Sequence, residues 1–260
     1  MQDLPKPVEP LVVTSVTDDR GEETLYKGIP VSKLIEEGKC IEDVVWLLWT
    51  GRLPSKFEFE IIRRILIMTA DHGPAVAGAY STILATSAGL AMPQAVAAGV
   101  QMIGPKFGGA SGAASREFRY AVANNETMEQ FSDRLKSSGT AYFPGIGHKV
   151  FSKSKPDKRV KDLVEFFKSN SNESNKKFET KHLDFALSLE EHLLAKNEKL
   201  ILNIDGAIGA ILADLDFPEE GVDGFFILAR TIGLIAHHID QKQRGTGLIR
   251  LPEELILYKT

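Results

Sequence analysis

The sequence predicts a mainly α fold. Apolar residues recur at three- and four-residue spacing through most of the chain, Gly or Pro stands at the ends of those stretches, and strand-like enrichment in β-branched residues is confined to the segment before Val31. In that opening segment Leu11 to Val16 reads as a strand, Asp18-Asp19-Arg20-Gly21 as a turn and Glu23 to Tyr26 as the returning strand, giving a short N-terminal β hairpin. Helical spacing begins at Val31, with Ser32 as cap and Gly38 as stop. From Ile41 to Trp49 the residues Ile41, Val44, Val45, Leu48 and Trp49 share a helical face that Gly51 closes, and Trp46 and Trp49 read as core. Ser55 and Glu58 form a capping box for the next helix, whose face is Phe59, Ile62, Ile65, Leu66 and Thr69. That helix runs into Asp71-His72-Gly73-Pro74, where Pro74 can start another.

From Ala75 to Ala114 the chain is rich in Ala, Gly and Ser, which lets helices approach closely, in a packed interior pair or a subunit contact. Ser115 to Lys136 reads as a charged helix, Leu163 to Lys168 as a short one, and Ser169 to Lys177 as an exposed loop. A further helix spans Leu183 to Ala195, with Leu183, Ala186, Leu187 and Leu194 on one side. Leu200 to Leu215 and Phe225 to Ile239 are apolar enough to be buried.

Composition narrows the function. The chain has 260 residues and a net charge of −4, so nucleic acid is not an expected partner. Cys40 is the only cysteine, which excludes an internal disulfide framework and fits a reducing compartment. The N-terminus lacks a basic start and an apolar signal run, and no stretch reads as long and apolar enough to span a bilayer. The expectation is a cytoplasmic protein with no membrane partner.

Three segments place an ionisable residue beside glycine: Asp71-His72-Gly73, Gly145-Ile146-Gly147-His148, and Asn203-Ile204-Asp205-Gly206. Two imidazoles and a carboxylate are the parts needed to move protons near neutral pH. Gly145 and Gly147 leave local backbone amides open to a ligand, and the basic run Lys149, Lys153, Lys155, Lys158 and Arg159 suits either a solvated surface or a phosphate-bearing cofactor. The apolar flanks of Asp205 remove its hydration and raise its pKa, while its place before Gly206 also suits a helix N-cap. Arg230 interrupts an apolar helix and needs an anion, structural or substrate. Arg250 has a similarly apolar setting. His237, His238 and Asp240 are too close in sequence to share one metal on a helix, so no metal site is expected. Gly-x-x-x-x-Gly-Lys-Ser/Thr and Gly-x-Ser-x-Gly are both missing, which disfavours ATP hydrolysis and serine esterase chemistry.

These segments, in this order, resemble the citrate synthase superfamily, and more closely citryl-CoA lyase and the C-terminal module of ATP-citrate lyase. The matching stretches are Thr14 to Pro30, Val45 to Pro54, Thr69 to Val76, Phe107 to Ala110, Gly145 to His148, Pro156 to Arg159, Asn203 to Gly206, Gly233 to Gln241 and Gly247 to Arg250. The resemblance implies a citrate synthase-like fold, with a large dimer-forming helical domain (1–109 and 211–260) and a small domain (110–210) carrying CoA-binding and catalytic segments. It implies that His72 and His148 contact the oxaloacetate part, that Arg159, Arg230 and Arg250 hold its carboxylates, with Arg250 supplied by the partner subunit, and that Asp205 exchanges a proton with the acetyl-CoA methyl carbon. Gly145, Ile146, Gly147 and Lys149 fall in the CoA-binding region. One departure is Phe107, in the substrate site where citrate synthases carry an enolate-binding histidine; its side chain cannot donate a hydrogen bond.

The implied function is citryl-CoA lyase: cleavage of citryl-CoA to acetyl-CoA and oxaloacetate, with His148 as hydroxyl base, no metal or redox cofactor, and CoA only as part of the substrate. Expected partners are a second copy of the chain in a homo-oligomer with a shared site and a separate citryl-CoA synthetase. Two other readings stand beside it: a citrate or 2-methylcitrate synthase, and a non-catalytic assembly subunit of a citrate-cleaving complex.

Overall fold

The computed structural model describes residues 11–104, 109–139, 142–171, 178–245 and 247–259. It divides into two compact units, residues 1–59 and 60–260.

In the first unit, strands β1 (Thr17–Asp18), β2 (Leu25–Tyr26) and β3 (Ile29–Pro30) form an antiparallel sheet in that order. Thr17 pairs with Tyr26 and Leu25 with Pro30. The expected hairpin thus starts later than Leu11 and gains a third strand. Only Thr17 and Asp18 lie opposite a partner, so Leu11, Val12 and Val13 stay exposed and unpaired with the sheet. The extra strand follows from Lys27 and Gly28, both at positive φ (48° and 81°), as a tight two-residue hairpin turn requires.

Helix α1 (Val31–Glu36) has Pro30 at its N-cap. Ser32 lies inside it and donates its amide N–H to Glu23 Oε1 at 2.5 Å, so it is no cap. Gly38 ends the turn as expected, donating to the Ile35 carbonyl at 2.9 Å. Helix α2 (Ile41–Thr50) stops at Gly51, which donates to the Leu47 carbonyl at 2.8 Å. Its buried side is Val45, Trp46 and Leu47; Ile41 is exposed, and Trp49 is only part-buried. At the start of α3 (Lys56–Thr69) the capping box is present: Glu58 N–H donates to Ser55 Oγ at 3.2 Å and Ser55 N–H to Glu58 Oε2 at 2.8 Å.

In the second unit, α3 buries Ile61, Ile62, Ile65, Leu66 and Thr69. Pro74 does not open the next helix; α4 (Ala77–Ser87) begins at Ala77 with Val76 as cap. Helices α4 and α5 (Met92–Val100) form the expected close pair. A Cβ at Gly78 would lie 3.0 Å from the Gly99 carbonyl oxygen, and one at Gly99 2.8 Å from that of Gly78, so any larger residue forces the helices apart. The predicted charged helix is two, α6 (Ala110–Ala123) and α7 (Met128–Ser137). They are separated where Asn125 takes a φ of 51° and Thr127 restarts the helix in a capping box with Gln130.

Helix α8 (Lys158–Asn170) is longer than its apolar pattern suggested, because Asp157 caps a charged first turn. Ser169 and Asn170 belong to it and Ser171 is its buried C-cap, so these three are not exposed loop; the rest of the predicted loop, residues 172–177, lies outside the described residues. Helix α9 (Lys181–Leu194) buries Leu183, Ala186, Leu189 and Leu193, while Leu187 and Leu194 are part-buried. Helix α10 (Ile204–Asp214) is almost wholly buried against α6 and α9. Helix α11 (Val222–Arg244) packs on α4, α5 and α6. Residues 219–244 are long and apolar enough to cross a membrane by composition, which corrects the earlier expectation. Its buried Arg230, Phe225, Ala229 and Leu234 and the helices along it mark α11 as a core helix of this unit.

Candidate active site

The chain leaves α3 at Thr69 and turns through Asp71-His72-Gly73, where Gly73 has a φ of 81° and donates its N–H to Asp71 Oδ2 at 2.7 Å. Helix α11 crosses this turn at Gly233; a Cβ there would collide with the Ala70 carbonyl oxygen, so glycine permits the approach. One helical turn earlier on α11, Arg230 is fully buried beneath His72. Its Nε donates to the Thr69 carbonyl at 3.2 Å, and Nη2 lies 2.7 Å from His72 Nδ1. Arg159 reaches the same ring from α8, with Nη1 2.9 Å from His72 Nε2. Asp157 aims it: the carboxylate accepts from Arg159 Nε at 3.0 Å and Nη2 at 2.6 Å while capping α8. Burial and the two guanidinium charges hold the His72 pKa at about 4, so the ring is neutral near pH 7. A neutral imidazole offers one lone pair, yet guanidinium donors face both of its nitrogens. One of the two contacts therefore sets a ring N–H against a guanidinium, and two positive charges converge on this one ring.

Asp205 stands in the first turn of α10. The N-cap is Asn203, whose Oδ1 accepts from Gly206 N–H at 3.1 Å; Asp205 is therefore not the cap. Ser111 Oγ on α6 donates to Asp205 Oδ1 at 2.8 Å. Burial pushes the Asp205 pKa up and the Asp223 charge adds to this, against the Ser111 hydrogen bond, Arg230 and Arg159. The sequence expectation of a raised carboxylate pKa thus matches its setting.

The Gly145–His148 segment lies against the extended segment leading to α10. Gly145 and Gly147 have φ of 76° and 93°, and Gly145 packs so tightly on Gly206 that a Cβ on either would strike the other residue. Ile146 pairs with Leu202, Gly147 N–H donates to the Ile201 carbonyl at 2.7 Å, and His148 N–H to Lys199 at 3.3 Å. The amides of Ile146, Gly147 and His148, in the segment expected to be open to a ligand, are therefore used by the chain itself. Asn203 Nδ2 clamps the segment through the Gly147 carbonyl at 2.9 Å. His148 Nδ1 accepts the N–H groups of Val150 and Phe151 at 2.9 and 3.1 Å. Backbone amides only donate, so the neutral His148 ring carries its proton on Nε2 and presents a donor. Burial lowers its pKa and keeps it neutral.

Arg159 and Arg230 thus both contact His72, and the charges of Arg159 and Arg230 act on Asp205. Lys149, Lys153, Lys155 and Lys158 are exposed. Arg250 is exposed on the segment after α11, and no bond among the described residues joins it to the cluster. Phe107 lies outside the described residues. His237 and His238 turn to different partners, Asp71 Oδ1 at 3.0 Å and Thr86 Oγ1 at 2.8 Å. Sequence reasoning missed the supporting roles of Ser111, Asp157 and Asn203. Asn203 and Asp157 carry a legible signal, since each precedes a helix start as a capping residue type; Ser111 carries none.

A family model described as citrate synthase, C-terminal domain, matches residues 54–252. ATP-citrate synthase beta chain protein 2 of Arabidopsis thaliana is 38% identical over 261 residues, covering 95% of this chain and 42% of the plant protein. Among solved structures, ATP citrate lyase of Methanosaeta concilii, a point mutant in complex with (3S)-citryl-CoA, superposes with a TM-score of 0.88 at 37% identity, covering 99% of this chain and 42% of that one. Citryl-CoA lyase of Hydrogenobacter thermophilus superposes with a TM-score of 0.84 at 28% identity, covering 96% and 95% of the two chains. The chain spans less than half the length of the curated ATP-citrate synthase relatives it matches. The helical architecture, the order of the motif segments and the match over residues 54–252 agree, and the chain belongs to the citrate synthase family.

Proposed function

We propose that this protein is a citryl-CoA lyase, cleaving citryl-CoA to acetyl-CoA and oxaloacetate. The observation that carries it is the cluster in which Arg159 and Arg230 bring guanidinium groups to both ring nitrogens of His72, beside a carboxylate whose pKa burial raises. Similarity to a citryl-CoA lyase along nearly the full length of both chains, and to an ATP citrate lyase holding citryl-CoA, supports the same substrate.

In the reaction the arginines take the carboxylates of the citryl moiety as charge-assisted pairs and fix the bond to be broken. The tertiary hydroxyl loses its proton, the C–C electron pair moves into the thioester, and the carbinol carbon becomes the ketone of oxaloacetate. The expelled acetyl-CoA enolate takes a proton on carbon from Asp205, which must be protonated at that moment. His148 was expected as the hydroxyl base. Its Nδ1 is held by two amides, so its Nε2–H serves instead as a donor that steadies the oxygen on the reacting carbon. The accepting lone pair then belongs to His72, whose neutral ring is freed to accept a proton once substrate carboxylates draw the guanidinium donors off its nitrogens.

CoA enters as part of the substrate, near Gly145, Ile146, Gly147 and Lys149. With the backbone amides of Ile146, Gly147 and His148 used internally, exposed Lys149, Lys153 and Lys155 are groups able to meet its phosphates. The division into a large and a small domain, a homo-oligomer in which Arg250 completes the partner's site, a separate synthetase supplying citryl-CoA, and a cytoplasmic location belong to the same proposal. The test is to supply purified protein with citryl-CoA, and separately with acetyl-CoA plus oxaloacetate. Rapid release of oxaloacetate from the first, without net citrate formation from the second, supports a lyase; the reverse pattern makes it a synthase.

A further inference from the structure

Two carboxylates meet the first turn of α6 at successive residues. Ser111, fully buried, donates its hydroxyl to Asp205 Oδ1 at 2.8 Å. The next residue, Gly112, donates its backbone N–H to Asp223 Oδ1 at 2.7 Å. Residue 112 can only be small: a Cβ there would lie 2.5 Å from Asp223 Oδ2. Helix α10 is pressed onto the same turn, since a Cβ at Gly209 would lie 2.5 Å from the Ser111 carbonyl oxygen. Asp205 and Asp223 are therefore held on one rigid support.

We infer that Ser111 is a positioning residue for Asp205, tying Oδ1 so that Oδ2 carries the proton toward the reacting carbon, and that Asp223 opposes it by placing a like charge nearby. This deepens the proposed role of Asp205 and rests on it. A hydroxyl donor favours the ionised carboxylate, and a second anion favours the protonated one. The other charged groups acting on Asp205 are Arg230 on α11 and Arg159 on α8; on the α9 side Glu190 is occupied in accepting the Leu202 amide at 2.9 Å. Since cleavage needs protonated Asp205, the pair sets the alkaline limit of activity from opposite sides.

The test is a carbon-13 titration of aspartate carboxyls in the resting protein, with the Asp205 resonance assigned by its loss in Asp205→Asn. Ser111→Ala is expected to move the Asp205 midpoint to higher pH and Asp223→Asn to lower pH, while Ser111→Thr, which keeps the hydroxyl, stays near the parent. The alkaline limb of citryl-CoA cleavage should move in the same two senses. A merely structural role would lower activity in both variants without opposite displacements. Displacement in the same direction, or none, overturns the inference. If Ser111→Ala does not fold, Asp223→Asn decides alone: a lower midpoint supports the inference and an unchanged one ends it. The titration needs no turnover, so opposite displacements in a protein that leaves citryl-CoA intact would sink the lyase assignment and spare the carboxylate pair.

Discussion

At His72, burial and the charges of Arg159 and Arg230 act in one direction, taking the ring from its ordinary 6.5 to about 4. Between those values the unfolded chain binds the proton and the folded one does not, so the contribution is whole above about pH 6.5 and is lost as pH falls toward 4. Partial solvent access screens the effect, leaving roughly 1–2 kcal/mol. Urea melts across this window should show the loss, and His72→Gln should flatten the dependence; an unchanged slope would detach His72 from the arginines. At Asp205 the expectation concerns chemistry. Asp205→Asn should cut kcat by about a thousandfold, within the usual range for a positioned proton donor, with substrate binding retained. Near-normal kcat would remove Asp205 from the reaction. These residues were legible because glycine turns and apolar flanks single them out. The tautomer of His148 was not, since it depends on where the Val150 and Phe151 amides point, and no periodicity records that.

At the scale of elements, the site is held by helix starts. Asn203 caps α10 and clamps the Gly147 carbonyl, and Asp157 caps α8 and aims Arg159. Asn203→Ala should cost about 1 kcal/mol in chemical denaturation through the lost cap, more if the Gly147 clamp is counted. Asp157→Asn keeps a capping oxygen but loses the bidentate ion pair, so KM for citryl-CoA should rise more than kcat falls; a fall in kcat with KM unchanged would show that Arg159 acts mainly in the transition state. Apolar period found α2, α3 and α9 from sequence, and apolar content marked the segments of α10 and α11 as buried. It failed where polar residues set the boundary: the break between α6 and α7 at Asn125, and the charged first turn of α8. It also misplaced the first strand, because pairing with Leu25 and Tyr26, and not β-branched content, decides which residues enter the sheet.

For the molecule as a whole, the helical class follows from pattern alone, but assembly of the site depends on contacts among distant segments. Gly233 against Ala70, Gly145 against Gly206 and Gly112 against Asp223 are close approaches that bring α3, α6, α10 and α11 together, and a lone glycine in a sequence does not reveal its opposite number. Arg250, exposed after α11, is expected to act on the site of a second copy. Mixing inactive Arg250→Ala with inactive Asp205→Asn should then restore part of the activity in mixed oligomers, and failure to do so would confine the site to one chain. The lyase assignment itself is tested most directly by continuous detection of oxaloacetate, through NADH oxidation by added malate dehydrogenase, when citryl-CoA is mixed with the purified protein. Immediate oxaloacetate release by the wild type and none by folded Asp205→Asn is the predicted result; intact citryl-CoA, or hydrolysis to citrate and CoA without oxaloacetate, would contradict it.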